Sequence, residues 1–120
     1  METDELTKKD FDTFKESFEY YADVFGLRDW TFYFDRVDSD ELVAGVDPHI
    51  EGRTCMVVLT RRTPKVMDVK KDLDSIALHE VLHVVLADLT KSVERRAHED
   101  EIQRVNEATV VRLTNAIGLL

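Results

Sequence analysis

With 120 residues and a net charge of −9, the chain is expected to form a single domain over residues 1–120, large enough to bury about two-thirds of its unfolded surface. The acidic charge argues against nucleic acid or an anionic membrane as a partner, because both bind basic surfaces. A single cysteine excludes an internal disulfide, and no apolar leader or membrane-spanning run is found, so we expect a soluble, cytoplasmic protein.

The first predicted element is a helix over residues 4–25. Its aromatic residues recur three and four positions apart, which is the helical period, and Gly26 follows where a C-cap glycine belongs. The aromatic stripe consists of Phe11, Phe14, Phe18, Tyr21 and Phe25. We expect this stripe to pack into the core.

Two strands are predicted after this helix. The aromatic alternation at residues 30–34, WTFYF, has the two-residue period of a strand with one buried face. The turn signal DSD at residues 38–40 predicts that a short strand from Leu42 to Val46 pairs with the first as a hairpin and ends at Pro48. We expect this second strand to lie at an edge of the sheet.

A third strand is predicted from Thr54 to Thr60, where the run TCMVVLT is apolar on both faces and therefore deeply buried. Cys55 in this run is interpreted as a small buried hydrophobe. A basic segment follows, which either guides an acidic substrate to the site or, more simply, forms a solvated connection. Its basic residues are Arg61, Arg62, Lys65, Lys70 and Lys71.

Two further helices complete the predicted order. Residues 73–89, LDSIALHEVLHVVLADL, contain no Gly or Pro and are apolar on both sides, which predicts a buried helix. Asp72 or Asp74 stands where its N-cap is expected. The closing helix is amphipathic. Its apolar stripe is drawn through Ile102, Val105, Thr109, Leu113 and Ala116. Helix, three strands and two helices together predict an α+β fold.

The motif HEVLH, residues 79–83, contains the candidate metal ligands and the candidate catalytic residue. His79 and His83 are four residues apart, so on a helix they share one face and can bind one metal ion at roughly 2.0–2.1 Å. Glu80 is turned by about 100° from His79 and can act instead as the base that accepts a proton from a zinc-activated water. The motif therefore predicts a zinc hydrolase with two metal ligands and one catalytic carboxylate.

A catalytic zinc site usually has a third protein ligand. Leu86 and Leu89 stand where the motif HExxHxxGxxH requires Gly and His, so a metzincin site is excluded. The candidates that remain all follow the HEVLH helix. They are Glu94, His98, Glu99, Glu101 and Glu107.

The whole order resembles a family of small phage and prophage metallopeptidases in the zincin-like superfamily. The resemblance is carried by the aromatic first helix, the GLRDW entry to the first strand at residues 26–30, the helix ALHEVLHVVLADL and the closing NEATVVRLTNAI. In that family the closing helix resembles E-E-x-x-V-x-R-L, which places Glu107 at the second Glu and puts Asn106 in place of the first. The resemblance implies a minimal zincin-like domain with a gluzincin-type site, in which Glu107 is the third ligand. His98 is the alternative, since it lies nearer the centre of the apolar stripe.

The expected function is hydrolysis of peptide bonds in a peptide or protein substrate, with one zinc ion on His79, His83 and Glu107 and with Glu80 as general base. The substrate is expected to lie along an exposed edge strand, while Tyr33 and His49 are candidate oxyanion donors. Two alternatives remain open. One is a non-catalytic zincin-fold protein with a binding or regulatory role for a phage in its bacterial host, and the other is a structural zinc site closed by His98 as a fourth ligand.

Overall fold

Three helices and two small sheets make up the part of the chain that the computed structural model describes, which is residues 3–64, 68–87, 90 and 99–118. The predicted α+β class is confirmed. The elements are β1 (Thr3–Glu5), α1 (Lys8–Val24), β2 (Thr31–Val37), β3 (Ala44–His49), β4 (Thr54–Thr60), β5 (Arg62–Pro64), a 3₁₀ turn (Lys70–Asp72), α2 (Leu73–Val85) and α3 (Glu99–Gly118).

Helix α1 begins at Lys8 and not at residue 4, because residues 3–5 form strand β1 and pair antiparallel with β5. A capping box fixes this start: the hydroxyl of Thr7 accepts from the backbone N–H of Asp10 at 3.2 Å, and the Asp10 carboxylate accepts from the backbone N–H of Thr7 at 2.8 Å. The antiparallel pair of β1 and β5 was not predicted from the sequence. It places Pro64, expected in a connecting loop, at the end of β5.

The aromatic stripe of α1 packs against the sheet, as predicted. Phe14 and Phe18 are fully buried, and the Phe18 ring meets Phe32 and Phe34 of β2 edge-on at centroid distances of 5.0 and 5.4 Å. Phe25 differs from the prediction, since it is the C-cap residue and is 37% exposed. The helix ends there, before Gly26, whose φ of 75° is the left-handed conformation of a C-terminal glycine.

The predicted hairpin between the first two sheet strands is wrong. The strand order is β2-β4-β3, in which β4 runs parallel to β2 and antiparallel to β3. Strand β4 is the central strand because it is the most apolar of the three. Its residues Cys55, Val57 and Leu59 are buried. The connection from β2 to β3 crosses the end of β4, where the Thr60 hydroxyl accepts from the Ser39 backbone N–H at 3.3 Å.

Strand β3 lies at a sheet edge, as expected, but it runs from Ala44 to His49 and includes Pro48. The backbone N–H of Thr60 donates to the C=O of Val43 at 2.8 Å, so Val43 and Thr60 form a hydrogen-bonded pair. Because such pairs recur at every second residue, Gly45, Asp47 and His49 bond to β4. The main-chain N–H and C=O groups of the residues between them point away from β4, to the open edge of the sheet. These residues are Ala44, Val46 and Pro48. Pro48 therefore loses no bond to β4 by lacking an N–H.

Helix α2 lies at the centre of the domain, in contact with α1, α3 and β3. Ala77 and Val81 join the main core, while Leu78 and Leu82 form a second cluster with Val110 of α3. The predicted burial on both sides is thus confirmed. The predicted end at residue 89 is wrong, because the helix ends at Val85 with Leu86 as its C-cap. Among the described residues, no helix is both long enough and apolar enough to cross a membrane.

The start of α2 differs in detail from the prediction. Asp72 occupies the N-cap position but makes no side-chain hydrogen bond there. Asp74 instead accepts a hydrogen bond of 2.6 Å from the hydroxyl of Tyr21 on α1, and this bond raises the pKa of Tyr21 to about 12. The bond ties the first turn of α2 to α1.

The buried face of α3 differs from the predicted stripe. Val105 and Leu113 are 49% and 40% exposed, whereas Val110 is fully buried and Thr114 is 7% exposed. The contact of Val110 with α2 sets this rotation, because the apolar residues of α3 are spread around the helix and do not define one face by themselves. Glu107, three residues before Val110, consequently turns toward α2.

Replacing Thr7 by Ala is expected to lower the free energy of unfolding by about 1 kcal/mol, because the N-cap hydroxyl of α1 is lost. Chemical denaturation followed by circular dichroism measures the change. The control is Thr13→Ala, an exposed position inside the same helix, where alanine has the higher helix propensity and no loss is expected. Equal stability of Thr7→Ala and the wild type would contradict the capping box.

Candidate metal centre

Helix α2 places the two histidines of the HEVLH motif side by side. His79 and His83 are one turn apart, their side chains are each 26% exposed, and their Nε2 atoms are 3.2 Å apart. Burial of the flanking Leu78 and Leu82 fixes the rotation of the helix, so both rings point to the same side. The spacing that suggested a shared ligand therefore does bring the two nitrogens together.

Helix α3 adds the carboxylate of Glu107 to this pair. Its Oε1 lies 2.9 Å from the Nε2 of His79, and its Oε2 lies 3.0 Å from the Nε2 of His83. Donor atoms around a tetrahedral zinc ion, bound at about 2.0–2.1 Å, are separated by about 3.4 Å. The observed distances are close to that value, and the donor set of two imidazoles and one carboxylate is one that zinc accepts.

Direct hydrogen bonds alone suit this cluster less well than a cation. For both histidines to donate to Glu107, each Nε2 would have to carry a proton, and the two N–H groups would then stand only 3.2 Å apart. Burial, together with the neighbouring charge of His79, lowers the pKa of His83 despite the opposing effect of Glu107. A neutral imidazole is the form that binds metal. The three side chains thus fit a divalent cation.

Of the other candidate ligands, Glu99 and Glu101 belong to α3, but their side chains are not described. His98, the alternative third ligand, and Glu94 lie outside the described residues. Among the residues that the structure does describe, the metal-type cluster has three members, and no fourth His, Cys, Asp or Glu joins it. A closed, four-ligand structural site therefore gains no support from the described part of the chain.

Asn106 contributes to the position of Glu107 in a way that the sequence did not suggest. Its side-chain amide donates a hydrogen bond to the hydroxyl of Thr90, which itself donates to the Leu86 carbonyl at 3.1 Å. The residue that replaces the first Glu of the resembled family pattern therefore ties α3 to the chain just beyond α2. Together with the contact of Val110, this bond holds the two helices that carry the cluster.

Glu80 lies beside the cluster and is almost fully buried, with 8% of its surface exposed. Its carboxylate forms no hydrogen bond or ion pair with the other described residues. Burial, and secondarily the negative charge of Glu107, raises the pKa of Glu80 to about 7. A carboxylate in this state can accept a proton and release it again near neutral pH, which is what a general base requires.

An open cleft of about 920 Å³ gives access to the cluster. Strand β3 forms one wall, and α2 and α3 form the other. Besides the cluster and Glu80, the lining includes Glu41, Ala44, Val46, Pro48, His49, Glu51, Thr90, Gln103 and Asn106. A smaller cavity of about 330 Å³ lies next to it and shares Ala44, His79 and Glu80 as walls.

The two candidate oxyanion donors are separated by the sheet. His49 lines the cleft, whereas Tyr33 is opposite Met56 on the outer face of the sheet, is 55% exposed, and does not line the cleft. Gln103, which the sequence reasoning missed, does line it. The sequence could have indicated this residue, because Gln103 precedes Glu107 by one helical turn and therefore lies on the same face of the helix.

Comparisons with protein-family models, with curated proteins and with solved structures find no match to this chain.

Replacing Glu80 by Gln is expected to stabilise the protein in the presence of a chelator. The buried carboxylate has no partner among the described residues, so keeping it in the fold at neutral pH costs on the order of 2 kcal/mol, which a neutral amide avoids in large part. Thermal and urea unfolding at pH 7 to 8 with EDTA would show the gain.

The matched control for this effect is Glu16→Gln on α1, where the side chain is exposed and the same substitution should change stability by less than about 0.5 kcal/mol. A chelated Glu80→Gln protein that unfolds more easily than the wild type would show that Glu80 has a stabilising partner.

Proposed function

We propose that this protein is a zinc-dependent peptidase of the zincin-like type, with His79, His83 and Glu107 as metal ligands and Glu80 as general base. One observation carries the proposal. At the side of a cleft, the Nε2 atoms of His79 and His83 lie 3.2 Å apart, and each is within 3.0 Å of one carboxylate oxygen of Glu107. Next to them is the buried carboxylate of Glu80, which has no partner in the described structure. Three protein ligands leave one coordination position open, which is the pattern of catalytic zinc sites.

Zinc, when bound, supplies Lewis-acid activation of water and of the scissile carbonyl. The chain itself supplies the proton transfers. Glu80 accepts the proton of the attacking water on its carboxylate and delivers it to the leaving amine nitrogen. Only 8% of its surface is exposed, at the wall of the cleft, and the packing of α2 fixes its position beside the metal-binding histidines.

The open edge of β3 provides a binding surface for a polypeptide main chain. The outward groups are the N–H and C=O of Ala44 and Val46 and the C=O of Pro48, and β3 forms a wall of the cleft that contains the cluster. A substrate in extended conformation can add to this edge as a further strand, while its side chains extend alternately into the cleft and toward solvent. Such binding uses main-chain groups and therefore suits many peptide sequences.

The Glu80→Gln variant tests the catalytic assignment. It should retain about one zinc per chain, since the three ligands are unchanged, but hydrolyse a denatured protein or a peptide library at least about 100-fold more slowly. Zinc content by mass spectrometry and the rate of new amine formation are the measurements. The control Glu16→Gln should keep full activity.

Turnover by Glu80→Gln at the wild-type rate would remove Glu80 from the mechanism. If the wild type binds zinc tightly yet cleaves no member of the library, the non-catalytic binding role explains the cluster better than the peptidase does.

Replacement of Glu107 by Ala tests the third ligand. Zinc affinity should fall by more than about tenfold, because even the loss of a hydrogen-bond partner of a ligand reduces affinity by that much. Competition with a chromophoric chelator measures the dissociation constant. His49→Ala is the matched control, since this histidine lines the same cleft outside the cluster and its loss should leave zinc affinity unchanged. Full zinc affinity in Glu107→Ala would transfer the third position to another residue, with His98 tested next.

A further inference from the structure

The charges that line the cleft are almost all negative. Beyond Glu80 and Glu107 of the candidate site, Glu41 lies three residues before β3 and Glu51 two residues after it. Both side chains are exposed and form no ion pair with other described residues. No Lys or Arg is found in the lining that the structure describes. Near each end of the edge strand there is therefore a carboxylate that has no counter-ion among the described residues.

Basic side chains near the cleft are occupied elsewhere. His49, the base in the lining that is not part of the cluster, has its Nε2 3.4 Å from the Asp47 carboxylate. In the basic segment before α2, the described residues Arg61, Lys70 and Lys71 pair with acids, and none of these three lines the cleft. Its pairs are Arg61 with Asp38 at 3.5 Å, Lys70 with Asp10 at 3.7 Å and Lys71 with Asp68 at 3.9 Å.

A divalent ion at the cluster does not cancel this negative field. Two neutral histidines and the Glu107 carboxylate reduce its charge to +1, while Glu41 and Glu51 add two negative charges at the ends of β3 in a chain of net charge −9. Clefts lined by one sign of charge concentrate ligands of the opposite sign. An acidic peptide would be repelled at both ends of the strand.

We propose that the cleft selects basic polypeptide segments, which lie extended along β3 with Lys or Arg side chains at Glu41 and Glu51 on either side of the metal centre. The position of the segment relative to the centre rests on the proposed peptidase function. The six residues of β3 span about 20 Å, so the two basic residues would be about six or more positions apart in the substrate. The open main-chain groups of β3 favour a peptide over a small cation, because they bind backbone and not charge.

Binding by the zinc-loaded Glu80→Gln protein tests this preference without any need for turnover. The probes are three fluorescent peptides of about eight residues with a common neutral centre and with Lys, Gln or Glu at both ends. Anisotropy should show the Lys peptide binding about threefold to thirtyfold more tightly than the Gln peptide, as expected for two exposed charge pairs, with the Glu peptide weakest. The differences should shrink in about 1 M salt, where the Debye length falls to about 3 Å.

A double substitution, Glu41→Gln with Glu51→Gln, should abolish the preference for Lys. The matched control, Glu16→Gln with Glu19→Gln on the exposed surface of α1, changes the net charge equally and should retain it. Each single variant should lose about half of the logarithmic preference. Loss of the preference in the α1 control would assign it to the whole chain and overturn the proposal, as would an undiminished preference in the double variant.

Hydrolysis by the wild type separates this proposal from the function on which it rests. Cleavage of the Lys and Glu peptides with equal kcat/KM would overturn the preference and leave the peptidase intact. Absence of cleavage, combined with the Lys preference in binding and its loss in the double variant, would overturn the peptidase and leave the basic ligand class standing.

Discussion

The packing of α2 between α1, α3 and the sheet is the constraint on which the rest of the structure depends. A helix buried on nearly every side has one rotation about its axis, since Ala77 and Val81 face the main core while Leu78 and Leu82 face α3. That rotation points His79 and His83 together and buries Glu80 beside them. The placement of the two histidines and of Glu80 in the candidate site is therefore a result of core packing.

Much of this fold could be predicted from local patterns. The type of secondary structure is indicated by a few consecutive residues in three places. These are the alternation around Phe32 and Phe34, the apolar run of β4 and the sequence of α2, which contains no Gly or Pro. The pairing of β2 with β4 could not be predicted, because both edges of a strand are chemically alike and the choice depends on non-local burial. Strands β1 and β5, three residues each, are too short to show a period.

The candidate site divides in the same way between local and non-local information. The spacing of His79 and His83 is a property of one helix and could be predicted, whereas Glu107 is brought in by a contact between helices. Its face was misjudged because Val105 and Leu113 suggested a stripe that the contact of Val110 overrules. The hydrogen bond from Asn106 to Thr90 could not be predicted from a local pattern, because it depends on how α3 packs in the fold.

The position of Pro48 has a consequence for how copies of this protein behave together. A free sheet edge can pair with the same edge of another molecule, which is a common beginning of aggregation. At β3 a second strand would find outward N–H donors at Ala44 and Val46 but none at Pro48, so a continuous ladder between two copies is interrupted near its end. A single bound peptide can still donate a hydrogen bond to the C=O of Pro48, which the proline retains. The proline thus limits self-association at the edge that the proposed peptide binding would use.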